Sequence, residues 1–221
     1  MYFPSLQRMV LPILLTLVFL LGGCQSAYYG AMEKIGYHKR DIMVNRVEAA
    51  RDSQEEAKDQ FRSALERFSS VLNFKGGDLE DKYNELNDEL EKSEERANEV
   101  HKRIADVQDV SEALFKEWQE ELQQYSSATL RRSSQEKLEQ TRRSYQKLMA
   151  AMKKAEAKIE PVLRPMRDQV LYLKHNLNAQ AIASLRTELT SIQTDVSALI
   201  RDMEKSIAEA DKFIQTLDQN K

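Results

Sequence analysis

Cysteine is almost missing from this chain. Cys24 stands alone in 221 residues, so no internal disulfide forms and a zinc site of the multi-cysteine kind is excluded. Glycine (6) and proline (4) are scarce too. That leaves few places for turns and favours long helices. A basic excess is also lacking, since 33 Lys and Arg stand against 36 Asp and Glu for a net charge of −3. Nucleic-acid-binding domains carry a clear positive balance, so that class of partner is not expected. Only three histidines occur, His38, His101 and His175. None lies four residues from another, so no helical pair grips a metal from one face. The residues three before them are Ile35, Asn98 and Tyr172, so the Glu-x-x-His motif of di-iron bundles is absent. Gly22-Gly23 and Gly76-Gly77 are isolated pairs, not phosphate-cradling loops, and no Gly-x-Ser-x-Gly elbow occurs. The expectation is a non-enzyme with no catalytic residue, no metal site and no cofactor.

What is present begins with Arg8, followed by a charge-free apolar run over residues 9–21. A bilayer-spanning helix needs about 20 such residues. The shorter run, ending in small residues, reads as a cleavable secretion signal. An uncleaved signal anchor is the alternative, and both put the rest of the chain outside the cytoplasm. The closing residues Leu21-Gly22-Gly23-Cys24 resemble the lipobox of bacterial lipoproteins. That resemblance implies a cut before Cys24 and lipidation of its thiol. Lipoproteins of that kind carry three acyl chains, and two or more hold a protein stably where one does not. The next residue is Gln25 rather than the aspartate that retains many lipoproteins in the inner membrane. By the same resemblance, the chain belongs on the periplasmic face of the outer membrane.

The chain therefore divides into a signal peptide (1–23), an anchor-proximal segment (24–37) and a helical coiled-coil bundle domain (38–221). The anchor-proximal segment is small and aromatic, with Tyr28 and Tyr29 beside the anchor. Its tyrosines suit either the headgroup level of a bilayer or a short helix packed on the main body.

From there apolar residues recur at alternating steps of four and three. The first run is Met43, Val47, Ala50, Gln54, Ala57, Phe61, Ala64, Phe68 and Val71, with Gln54 its only polar member. A seven-residue repeat puts these on one stripe that must pack against partner helices. Asn73 to Gly77 signal a turn, and Asp78 suits the N-cap of the next helix. The second run goes from Leu79 through Val107 to Tyr125. Serines at 126, 127, 133 and 134 bracket the following break, and Ser133 with Glu136 has capping-box spacing. The third run goes from Leu138 to Leu177, with Pro161 and Pro165 inside it predicting a kink or a break. Asn178 suits the next N-cap. The fourth run includes Ile182, Leu199, Met203, Ile207, Ala210, Ile214 and Leu217. The pattern predicts an all-α fold, a long antiparallel bundle of about four helices. A stacked solenoid is disfavoured, because the segments share no signature beyond the heptad.

Charge is segregated. Residues 78–121 hold 16 acidic and 6 basic side chains, whereas residues 131–167 hold 11 basic and 4 acidic. A hairpin of the two would pair opposite signs along its flanks. The other reading makes Arg131, Arg132, Arg142 and Arg143, with Lys153 and Lys154, contacts for an anionic partner. Near the anchor, His38, Lys39 and Arg40 are candidate headgroup contacts, or ordinary solvated charges at a helix start. The turn Leu173-Lys174-His175-Asn176-Leu177-Asn178 is a candidate docking point.

The stretches from Met32 to Ile42 and from Leu173 to Ile182, with Glu112-Ala113-Leu114-Phe115-Lys116-Glu117-Trp118 and Leu130-Arg131-Arg132-Ser133-Ser134, resemble a proteobacterial lipoprotein family known as a domain of unknown function, number twenty-nine fifty-nine. The resemblance covers nearly all of the chain after Cys24. It implies secretion and a helical fold, and brings no activity or catalytic residue. The function expected is a lipid-anchored periplasmic scaffold or adaptor. Its partners would be the membrane through Cys24, and envelope proteins or copies of itself through the coiled coil. The alternative is a chaperone-like or ligand-binding helical module, using an apolar groove opened at Pro161 and Pro165.

Overall fold

The computed structural model describes residues 38–71, 79–176 and 178–218. They form five helices: α1 (Lys39–Val71), α2 (Leu79–Glu121), α3 (Ala128–Glu156), α4 (Ile159–His175) and α5 (Ala179–Asp218). No strand occurs among the described residues. Two compact units divide the chain, Met1–Ile42 and Met43–Lys221. Of the first, the description covers the opening turn of α1, where the His38 carbonyl accepts from the Asp41 and Ile42 amides at 2.9 and 3.1 Å.

The second unit is a four-rod bundle whose third rod comes in two pieces. Cross-links give its order. α1 meets α2 through Arg46–Asp106 and Arg96–Glu56, and Gln60 Nε2 donates to Glu89 Oε2 at 2.8 Å. Rising numbers on one helix match falling numbers on the other, so the pair is antiparallel. α2 packs on α3 and α4, and α5 packs on both of these. Arg51 closes the ring from α1 to Asp211 of α5 at 3.1 Å. The cyclic order α1, α2, α3–α4, α5 is the up-down-up-down arrangement that short connections impose.

The heptad stripes become the core. Every member of the first run is buried, Gln54 included. Exclusion of apolar surface from water drives the packing, and Phe61, Phe68, Phe213, Ile104, Met152 and Met166 are its largest fully enclosed side chains. The fourth run needs a correction. Ser206 and Phe213 point inward, while Ile207 and Ile214 are only half-buried. The inward steps 203, 206, 210, 213, 217 keep the seven-residue period. The apolar character of Ile207 and Ile214 masked a shift of one position.

Two boundaries also differ from expectation. α3 starts at Ala128, capped by Ser127, whose Oγ accepts from the Leu130 amide at 3.4 Å. Ser133 and Glu136 therefore lie inside the helix, not at a capping box, and Glu136 pairs with Arg132 instead. The third rod breaks at Ala157 and Lys158, ahead of both prolines. Pro161 has no N–H for the Ala157 carbonyl, and its ring crowds that carbonyl. A break four residues upstream places Pro161 in the first turn of α4, where amides have no helical partner anyway. Pro165 lies inside α4. Asn178 precedes α5, its carbonyl accepting from the Ile182 amide. Leu177, the turn at 72–77 and the Asp78 cap lie outside the described residues.

Candidate functional site

The densest polar chemistry surrounds the α3–α4 break. Asp202 of α5 is 4% exposed. Its carboxylate lies 3.1 Å from Lys154 Nζ and 2.5 Å from Lys158 Nζ. The hydrogen bond from Lys158, with help from Lys154, outweighs burial and holds the Asp202 carboxyl below the usual range. On the other flank Glu156, the last residue of α3, lies 2.7 Å from His101 Nδ1 of α2 and 2.9 Å from Lys153 Nζ. Burial pushes the Glu156 carboxyl up, but the bonds from His101 and Lys153 prevail and lower it. Farther along, Arg167 of α4 reaches Glu94 of α2 at 2.7 Å and Glu160 at 3.2 Å. These groups clamp the two halves of the broken rod to both neighbours. Each carboxylate is committed to a cation.

A second cluster fills the α2–α3 hairpin, where Phe115, Leu122 and Leu138 are packed by Trp118 and Tyr145. Phe115 and Tyr145 meet edge to face at 5.3 Å. Trp118 Nε1–H donates to Ser134 Oγ at 2.8 Å. Tyr125 and Leu130 at the turn are 40% and 58% exposed.

The predicted contact residues do not converge. Cys24 lies outside the described residues. His38 is exposed, and Lys39 and Arg40 are partly covered on the first turn of α1. Arg131 is exposed at the start of α3, and Arg132 bonds Glu136 at 3.0 Å. Arg142 is not offered to a partner. Its guanidinium lies 5.5 Å above the Phe115 ring and donates to the Phe115 carbonyl at 3.4 Å. Arg143 approaches Glu139 at 4.0 Å. Arg132 and Arg143 are eleven positions apart on one helix, about 16 Å, too far to share one phosphate. Lys153 and Lys154 are the clamp lysines. Between α2 and the third rod, Arg167 pairs with Glu94 and His101 meets Glu156. On its other flank the acidic helix gives Asp106 to Arg46 and Glu85 to Arg67 of α1, and Glu89 accepts from Gln60.

Sequence reasoning missed the clamp. Its one readable sign was Asp202, a carboxylate directly before a core position in an apolar run. It also missed a groove between α1 and α2 of about 580 Å³, lined by Ala49, Asp52, Ser53, Glu56, Glu95 and Glu99 with Arg96, Lys102 and Arg103. Most of the residues lining it are charged. The apolar residues flanking the prolines, Ile159, Val162, Leu163 and Met166, are all buried, so the break opens no apolar groove. No group of three or more potential metal-ligating side chains gathers among the described residues. No described helix is long and apolar enough to cross a membrane.

No curated protein and no solved structure matches the chain. A family profile described as "Protein of unknown function (DUF2959)" matches residues 28–217. That span takes in all five helices almost to the end of α5. The chain belongs to this family, whose function is unknown.

Proposed function

We propose that this protein is a non-catalytic scaffold or adaptor of the bacterial cell envelope, held by lipid on Cys24 at the periplasmic face of the outer membrane. The observation that carries the reading is the sequence Leu21-Gly22-Gly23-Cys24 after a short apolar run, placed ahead of a long helical bundle. The commitment of the clamp carboxylates supports it. Asp202, Glu156 and Glu94 hold helices together and are not free for proton transfer. In such a protein the bundle presents a side surface to partners, and the fatty chains fix where it does so.

The test is radiolabelled palmitate fed to cells making the full chain, with Cys24→Ser beside it. Label in the wild type and none in the variant is the expected result. An unlabelled wild type overturns the anchor. Crosslinking in intact cells then tests the scaffold role, and a chain that captures no envelope protein and no second copy overturns it.

A further inference from the structure

Among the described residues the large apolar side chains left exposed are Tyr125, Leu130, Leu171 and Tyr172. Two of them share the α2–α3 turn. Around those two the chain loses its acid. Residues 122–135 hold no Asp or Glu, whereas Arg131 and Arg132 both fall there. Tyr125, Ala128, Thr129, Leu130 and Arg131 are all exposed, and Arg131 enters no ion pair among the described residues. Exposed carboxylates bound this part on both sides, Glu120 and Glu121 on α2 and Glu136 on α3.

The turn also projects from its unit. Arg46–Asp106 and Arg96–Glu56 set Met43, the start of the unit, level with about residue 109 of α2. α2 runs on to Glu121, about 18 Å farther. Lys154–Asp202 sets Asp218, the last described residue of α5, level with about residue 138 of α3. α3 starts at Ala128, about 15 Å beyond that level. The chain enters the unit at Met43, so it enters at the end where the hairpin projects. Cys24 is nineteen positions earlier, and a chain of that length spans at most about 65 Å even fully extended. A bilayer holding Cys24 is thereby kept within reach of the tip.

We infer that the α2–α3 tip docks on the phospholipid bilayer that holds Cys24, with Tyr125 and Leu130 among the upper acyl carbons and Arg131 at the phosphates. A tyrosine ring takes apolar contact on its body and water at its hydroxyl, and that boundary offers both. Arginine lays its stem along lipid and keeps its guanidinium in the polar layer. Glu120, Glu121 and Glu136 limit the depth, because a carboxylate is costly in hydrocarbon. A bilayer is the occupant for two reasons. The tether brings one to this end, and two apolar side chains are too few for a stable protein interface, which buries about 800 Å² on each partner. The docking rests on the scaffold reading for its lipid on Cys24, and deepens it by fixing how the bundle stands. The chemistry of the tip is independent of it.

The full chain is reconstituted in vesicles of phosphatidylethanolamine and phosphatidylglycerol, with and without bromine on the upper acyl carbons. Bromine quenches tryptophan at short range. Trp118, the only tryptophan, is changed by Trp118→Phe, and one reporter is added, Tyr125→Trp or Leu171→Trp. Leu171 and Leu130 are equally exposed, at 58%. Arg167–Glu94 sets Leu171 level with about residue 90 of α2, about 45 Å from the tip. A tip sunk about 5–10 Å into the boundary puts the Tyr125→Trp reporter beside the bromines, so its emission falls about twofold or more. The Leu171→Trp reporter keeps its emission. Adding Leu130→Asp to the tip reporter restores most of the lost emission, since a charge there is driven out of lipid. Unchanged melting shows that the variants fold, and Leu130→Trp replaces Tyr125→Trp as reporter if that one does not. An unquenched tip, equal quenching at both ends, or quenching that survives Leu130→Asp would each overturn the inference. So would a tip that stays in water and crosslinks to an envelope protein. Palmitate labelling reads the anchor separately. A quenched tip on an unlabelled chain defeats the anchor alone, and an unquenched tip on a labelled chain defeats this inference alone.

Discussion

Gln54 is the polar flaw at the centre of α1. Its residue exposure is 0%, and neither Oε1 nor Nε2 has a hydrogen-bond partner. A buried polar atom left unpaired costs about 1–3 kcal/mol, because water's hydrogen bonds are lost and nothing replaces them. Gln54→Met keeps nearly the same length and volume, fills the same heptad position and removes the amide. Relief of the penalty should raise the unfolding free energy by about 1–3 kcal/mol. For a chain of this size each kcal/mol moves Tm by about 2–4 °C, so the melting point rises by roughly 2–12 °C. Urea unfolding of the full chain, followed by far-ultraviolet circular dichroism, measures the gain as a higher midpoint at constant slope. Gln54→Ala controls for volume and should fall below Gln54→Met, since it adds a void. A methionine variant that melts lower than wild type would refute the reasoning. It would mean that the amide finds a partner, such as an enclosed water, and stabilises the bundle through it.

Phe61→Ala should cost about 3–5 kcal/mol, because the ring is fully enclosed and its neighbours cannot collapse onto the space; chemical unfolding checks it. Ser134→Ala removes the acceptor of the Trp118 indole, which should lower stability by about 0.5–1.5 kcal/mol. Trp118 is the only tryptophan, so the change is also visible as altered intrinsic fluorescence. Acidification should weaken the clamp. The Asp202 and Glu156 carboxyls are lowered in the folded state, so their contribution is fully present above the ordinary carboxyl values and is lost as pH falls through the folded ones. Asp202→Asn should flatten the fall in Tm on the acid side, and a profile identical to wild type would count against the clamp.

Much of the architecture was legible because burial enforces periodicity. From Met43 to Val71 each apolar beat became a core position, since a rod among three neighbours has only one stripe to hide. The reading failed where two residues compete for one role. Ile214 and Phe213 are both apolar, and the phase of α5 turns Phe213 inward, where its ring lies 6.3 Å from Tyr145. Ser127 and Ser133 both cap well in isolation, and the chain reversal at 122–127 decides for the earlier one. Proline was read as the point of fracture, whereas the strain falls on the carbonyl four residues before it. The charge segregation was plain in the sequence, but its direction was not. Ionic partners depend on which rods are neighbours, and Arg46 and Arg67 of α1 take Asp106 and Glu85 of the acidic helix.

The interruption at Ala157 and Lys158 is better regarded as a carpenter's splice than as a joint. Three uninterrupted timbers run past it, and the inward residues on either side, Met152, Ala155, Ile159, Val162 and Met166, keep their beat of three and four across the cut. One extra residue inserted there would turn everything downstream by about 100°. Val162, Met166, Val170 and Leu173 would then swing out toward water together. The two residues between α3 and α4 thus act as a fixed spacer, one of which, Lys158, also ties the splice to Asp202.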